Sequence, residues 1–269
     1  MIEFLLITIG LIGLLIASFC DIETREVPNW LNFSLIASGL GIRTIGSLSQ
    51  LNLFVIISGL IGIFSMIIIG TALYYTKQWG GGDTKLLIGI GALFGSLSFS
   101  RWFLVHFLIN LVLIGSIYGL AWSIYLAIKH HKHFVKIFKA EIPAHKKRLK
   151  IFLPVAILLF LMSFFIEHAV ISLMLALSGG LVLFYVITII FVKTVEDACM
   201  FRSIKIKHLT EGDWIAQDVF SGKKKIYSTA DPGVSRTQIS LMQKLKLKRV
   251  LIKEGVPFVP SFLFTMIVT

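Results

Sequence analysis

The sequence predicts an all-α polytopic membrane protein, a bundle of about seven transmembrane helices with a small cytosolic α+β tail domain. Three observations predict it. Of 269 residues, 56% are hydrophobic and 15% charged, with a mean hydropathy of +0.87, a composition that excludes a soluble globule. Mostly apolar runs of roughly 15 to 26 residues recur along the first 192 positions, and about 20 residues at 1.5 Å each match a hydrocarbon layer about 30 Å thick. The basic residues are also segregated: eight of the 26 Lys/Arg lie between Lys129 and Lys150 and thirteen between Lys193 and Lys253. Cytoplasmic loops carry such an excess, so the net charge of +12 is explained by topology and lipid headgroups, and no nucleic acid is needed as a partner.

The expected spans are Ile2 to Cys20, Trp30 to Leu48, Leu53 to Tyr75, Leu86 to Ser100, Phe103 to Ile128, Ile151 to Ile166 and Ala169 to Val192. The first has Glu3 in place of a basic n-region and no clear cleavage site, so it reads as a retained span. Gly39, Gly41 and Arg43 interrupt the second; Arg43 should snorkel to an interface or face the bundle interior. Trp30, Trp79 and Trp102 suit interfacial positions. His106 and Asn110 share one side of the fifth span, where interhelical hydrogen bonding is the default account. If the 129–150 segment is cytosolic, the N-terminus lies outside, the 21–29 and 76–85 loops lie inside, Glu167 and His168 lie outside, and the basic 193–255 segment lies inside. Both basic segments thus fall on one side of the cell membrane without adjustment.

From Thr194 the composition changes. Alternation in Ile204-Lys205-Ile206-Lys207, turn signals at Glu211-Gly212-Asp213 and Asp231-Pro232-Gly233, and an amphipathic stretch from Ser235 to Lys246 predict the tail domain. The apolar run Ser261 to Thr269 is too short to span alone; it re-enters the membrane or stops early in an eighth helix. The expected organisation is a catalytic membrane region over 1–128, a basic cytosolic loop over 129–150, further transmembrane helices over 151–192, and a cytosolic C-terminal domain with its apolar tail over 193–269.

Of six aspartates, only Asp21 and Asp83 precede position 197, and each sits where a span meets a cytosolic loop. Topology therefore puts both carboxylates on one membrane face. Two carboxylates brought together share a proton, and such a pair can activate water while protonating a scissile carbonyl. Other accounts exist for each alone: Asp83 follows Gly80-Gly81-Gly82 as an ordinary helix cap would, and Asp21 could be an interfacial acid. Asp21 nevertheless falls near a helix C-terminus, where the macrodipole disfavours an anion. His130, His131 and His133 lack complementary ligands and read as a solvated face, and Cys20 and Cys199 have no metal-site spacing; no metal or other cofactor is expected.

Asp21, Arg25, Val27, Pro28 and Asn29 resemble the D-x-x-x-R-x-[IV]-P-N stretch of type IV prepilin peptidases, and Gly80-Gly81-Gly82-Asp83-Thr84-Lys85 resembles their G-x-G-D-x-K motif. The chain looks most like the archaeal preflagellin and prepilin peptidase branch, since it lacks the paired C-x-x-C loop of the bacterial branch, whose methyl transfer is not expected here. The resemblance implies an aspartic endopeptidase with Asp21 and Asp83 catalytic. It also implies substrates with class III signal peptides, archaellins and pilins, cut at the cytosolic membrane surface between a short basic leader and an apolar helix.

Glu23 and Glu26 could pair with the leader's basic residues, solvated loop acids being the simpler account. Gly80 and Gly82 would let an extended peptide approach the backbone. Lys85 would either lower an aspartate pKa or mark the interface. The presenilin and signal-peptide-peptidase group, the first alternative, places its aspartates inside spans and carries Pro-Ala-Leu, which this sequence lacks. A transporter, the second, would show ionisable residues at mid-span or paired broken helices.

Overall fold

The computed structural model describes residues 2–95, 102–221, 224–231, 233–245 and 247–269. They form ten α-helices and five short strands in two compact units, one comprising 1–121 with 203–269 and the other 122–202. In chain order the first helices are α1 (Ile2–Thr24), α2 (Asn29–Gln50), α3 (Phe54–Tyr75), α4 (Gly81–Phe94) and α5 (Phe103–Lys129). α6 (His131–Ala144), α7 (Lys146–Phe165) and α8 (Ala169–Val195) follow, and a π-helical turn, Glu196–Met200, continues α8. The basic stretch expected as a loop is therefore helical, with α6 inside it and the first turn of α7 at its end.

Among the described residues, five helices are long and apolar enough to cross a membrane: α1, α3, α5, α7, and α8 with its π turn. Two of the seven expected spans fall short on these terms. α2 has the length, at 22 residues, but Asn32, Ser34, Arg43, Thr44 and three further serines lower its hydropathy. α4 has 14 residues, about 21 Å at 1.5 Å per residue, against about 30 Å of hydrocarbon. It starts five residues before the expected span, and residues 96–100 of that span lie outside the described residues.

α2, α3 and α4 pack through small residues. A Cβ at Gly39 of α2 would stand 2.8 Å from the Ala92 carbonyl carbon of α4, and one at Gly62 of α3 would collide with the Gly91 carbonyl oxygen. Such close backbone approach maximises dispersion contact where lipid offers no hydrophobic drive between helices. Leu86, Leu87, Ile90, Leu93 and Phe94 of α4 are all buried in the resulting core, whereas Phe4, Leu15 and Phe19 of α1 and Phe64 of α3 face outward.

Arg43 faces the interior and is 1% exposed. Its guanidinium donates to the carbonyls of Ala92 (3.0 Å), Leu93 (2.7 Å) and Val55 (3.1 Å) and to Ser58 Oγ (2.6 Å). The last carbonyls of a helix have no intrahelical donor, and here α2 supplies one to the end of α4.

The strand-bearing C-terminal region has β1 (Phe201–Lys205), β2 (Trp214–Ile215), β3 (Val219–Ser221), β4 (Lys224–Tyr227) and β5 (Arg249–Lys253). β1, β5 and β2 form one sheet in that order, with Trp214 opposite Lys253 and Ile215 opposite Ile252 in the antiparallel β2–β5 pair. β3 and β4 form an antiparallel hairpin with an irregularity after Val219. The amphipathic stretch gives α9 (Arg236–Lys244), capped by Ser235 and Gln238 in a reciprocal capping box. Its expected end, Lys246, and Pro232 of the second turn lie outside the described residues. Gly212, at φ 98°, makes the first turn. Ile206, Ile215, Tyr227, Met242 and Val250 close a separate small core.

The apolar tail forms α10 (Val259–Val268), which packs along α1 and buries Val259, Phe262 and Met266 in the core of the N-terminal helices.

Arg43→Met should lower unfolding free energy by about 3 kcal/mol, because it strands several buried carbonyls, while Arg43→Lys restores only part of the loss. Gly62→Ala should cost about 1 to 3 kcal/mol by overpacking, whereas Gly41→Ala, with open space at its Cβ, should stabilise by up to about 1 kcal/mol. Denaturant or thermal unfolding in detergent micelles checks both.

Candidate active site

The first motif straddles the end of α1. Asp21 is in its last turn and 6% exposed. Arg25 then takes φ 61°, with its N–H donating to the Asp21 carbonyl, and this left-handed residue turns the chain toward α2. Pro28 opens α2 as its N-cap at φ −59°, and its carbonyl accepts from the N–H groups of Leu31 and Asn32. A proline ring holds that φ, so the motif's Pro-Asn pair stops one helix from running into the next.

The second motif opens α4. Gly80 is the N-cap, and its N–H donates to Asp83 Oδ2 at 3.2 Å, so Asp83 reaches back over the first turn as a capping-box acid does. Thr84 Oγ1 donates to the Gly80 carbonyl at 3.1 Å. A Cβ at Gly82 would lie 3.4 Å from both the N and Cβ of Val27, so this glycine is where the second motif meets the first. Lys85 Nζ donates to Asn29 Oδ1 at 2.7 Å, a second tie between them.

The structure thus brings Asp21 and Asp83 together. Asp83 is half-buried at the N-terminal end of α4, before the apolar run that begins at Leu86 and outside the five apolar helices. Burial first, and then the facing Asp21 carboxylate, hold Asp83 above the usual carboxylate range, against the opposing effect of the Gly80 N–H. A half-buried carboxyl that keeps its proton beside a second carboxylate can donate to one atom of a substrate while its neighbour accepts from another.

The remaining candidates divide. Arg25, Pro28, Asn29, Gly80, Gly82 and Lys85 all shape the junction of the two motifs. Glu23 and Glu26 are exposed, and neither forms an ion pair among the described residues. Glu26 instead faces the C-terminal region, where the Asp213 carboxyl is raised first by its own burial, against hydrogen bonds from Thr210, and then by Glu26 and Glu254.

Sequence reasoning missed what the C-terminal segment brings. Val259 N–H, at the start of α10, donates to Asp21 Oδ2 at 2.9 Å, and Glu254 lies 3.7 Å from the Arg25 guanidinium. Trp79, placed by sequence at an interface, packs against Phe258 and Phe262 at ring separations of 5.8 and 5.3 Å. The Gly-Val-Pro-Phe-Val-Pro run at 255–260 is a local signal for a break in the chain, but it does not indicate what the break approaches. Asn32, one turn into α2, is fully buried, and neither amide atom has a hydrogen-bond partner among the described residues.

The chain is 42% identical over 91 residues to the preflagellin peptidase of Methanococcus voltae, covering 34% of this chain and 39% of that protein. It is 34% identical over 93 residues to the preflagellin peptidase of Methanococcus maripaludis strain C6, covering 35% and 39%. The match to the preflagellin peptidase of Methanocaldococcus jannaschii is 33% over 85 residues, covering 32% and 36%. The matched segments thus span about two fifths of these relatives. No solved structure matches the chain. The family comparison covers both aspartate motifs: residues 8–124 match the type IV leader peptidase family.

Proposed function

We propose that the chain is a membrane-embedded aspartic endopeptidase that removes the short basic leader from prearchaellin- and prepilin-like precursors at the cytosolic membrane face. The observation that carries this reading is the juxtaposition of Asp21 and Asp83, with Asp83 disposed to keep a proton beside the other carboxylate. The match of residues 8–124 to the type IV leader peptidase family supports leader cleavage, and the names of the three relatives support preflagellins as the substrate class. The grouping of 21 of 26 Lys/Arg in two segments supports the cytosolic side for the site and for the strand-bearing tail, with α2 and α4 completing seven spans.

The chemistry follows from the two protonation states. Asp21, as the carboxylate, takes a proton from water, whose oxygen attacks the scissile carbonyl carbon; Asp83 gives its proton to the carbonyl oxygen. The resulting gem-diol collapses as Asp21 passes its proton to the leaving nitrogen, the C–N bond breaks, and one diol hydroxyl gives its proton to Asp83, so that the pair again holds a single proton. Gly80 leaves room for an extended peptide beside Asp83, Gly82 admits Val27 of the first motif, and Arg25, Pro28, Asn29 and Lys85 hold the two motifs in register. Glu23 and Glu26, both exposed, would meet the basic leader by charge-assisted contacts.

Membranes containing the wild-type protein should shorten a prearchaellin-like substrate on a gel, and Asp21→Asn and Asp83→Asn should each cut at least about 100-fold more slowly at equal expression. Activity that survives either change would reduce that aspartate to a cap or an interfacial acid. The pH profile of kcat/KM should be bell-shaped, because the pair works with one proton and fails with two or none. Since Asp83 is raised, its proton is lost, and the alkaline limb falls, above the usual carboxylate range; a plateau on either side would count against the shared proton.

A further inference from the structure

The two carboxylates are held by backbone donors of different origin. Asp83 takes its N–H from Gly80, three residues away in its own helix cap. Asp21 takes its N–H from Val259, 238 residues along the chain. The difference has a physical cause. The N-terminal turn of a helix exposes free N–H groups, so an acid at the start of α4 finds a donor locally; the C-terminal turn exposes only free carbonyls, so an acid at the end of α1 finds none. α10 brings such a donor as the first N–H of its own N-terminus, whose positive end then also faces the Asp21 carboxylate.

The surroundings fix that N–H in place. Val259 and Phe262 are fully buried, the Phe258 and Phe262 rings pack on Trp79, and Phe262 also packs on Phe107 of α5. A Cβ at Gly115 of α5 would lie 2.6 Å from the Phe258 ring, which shows how closely this segment is seated. The Arg25–Glu254 ion pair secures the chain five residues earlier.

We infer that α10 is a third part of the active site, with the Val259 N–H acting as a positioning group that fixes the Asp21 carboxylate through Oδ2 and leaves Oδ1 free for the reacting water. This deepens the aspartic peptidase reading and rests on it. The C-terminal helix is then an orienting element for the reaction.

The test removes the N–H alone from the full-length protein, by incorporating 2-hydroxy-3-methylbutanoic acid at position 259 so that an ester replaces the amide. A control places an ester in the same helix at Ile267, which is 66% exposed. The expected result is a kcat about tenfold lower with KM changed less than twofold, the loss of one charge-assisted hydrogen bond, and no such change in the control. Infrared difference spectra against Asp21→Asn isolate the Asp21 carboxyl signal, which should move in the position-259 ester and stay in the control. Val259→Pro also lacks the N–H and suits a first helical position, though it displaces Phe258 from its helical backbone angles. It is the second variant should the ester not fold, and it should show the same kcat loss.

An unchanged kcat or an unmoved infrared signal overturns the inference while leaving the peptidase reading intact. A change in KM alone would instead make α10 a substrate-docking element, and a rise in kcat would make it a plug over the site. A wild-type protein that cuts none of the precursors removes the peptidase reading itself, and this inference with it.

Discussion

A carboxylate buried at the C-terminal end of a helix is placed against its electrostatics: the helix offers it carbonyl oxygens and the negative end of a dipole. Asp21 is held there because a second helix end, of opposite sign, is brought to it. The contact between Asp21 Oδ2 and the Val259 N–H organises much of the surrounding structure. It requires β5 to deliver the chain to the end of α1, the Pro-rich 256–260 run to turn that chain into a helix, and Trp79, Phe258 and Phe262 to seat the helix start. The strand-bearing region is thereby anchored to the N-terminal helices at three points, counting the Arg25–Glu254 pair and the hydrogen bond from Lys77 Nζ to the Thr229 carbonyl.

Asp83 poses the opposite problem and has a local solution. It sits at a helix start, where its own first turn supplies a donor and the dipole favours an anion, so its position depends on where α4 begins and not on a distant segment. α4 is correspondingly short, buried along most of its length, and gripped by glycines from two neighbouring helices. Its other end leaves orphan carbonyls in an apolar core, and Arg43 satisfies them. A cation inside a membrane bundle is costly unless its donors are used, and here the carbonyls of α4 and α3 and the hydroxyl of Ser58 use them.

These differences explain which parts were legible in the sequence. Asp21-to-Asn29 and Gly80-to-Lys85 are local patterns whose residue types carry their own backbone geometry, so both motifs and their meeting on one side could be read directly. In the tail, α9 was legible from its amphipathic stretch and Gly212 from its turn signal, whereas the alternation at 204–207 was only half a strand, since β1 ends at Lys205 and Ile206–His208 forms a 3-10 turn. Arg43 could be narrowed to two fates only, because periodicity does not say whether a long side chain turns toward lipid or toward a neighbouring helix end. The early start of α4 was hidden because an acid after three glycines reads as the cap itself, whereas Gly80 is the cap and Asp83 the third helical residue. Least legible was the role of Val259: its contribution is a backbone N–H, which every residue but proline possesses, so no residue type could have marked it.

The asymmetry between the two acids bears on how such a site would be assembled. Asp83 acquires its donor as soon as α4 forms its first turn, since only three residues separate donor and acceptor. Asp21 acquires its donor only when the strands of the tail have paired and α10 has docked, a closure across almost the whole chain. Until then Asp21 stands at the dipole-negative end of α1 without a local N–H, and any geometry it takes toward Asp83 is set by its own rotamer freedom. The dependence ties the pair's geometry to the folding of a region outside the segment matched by the family. A tail that lies beyond both motifs in sequence can therefore govern the one carboxylate that its own helix cannot hold.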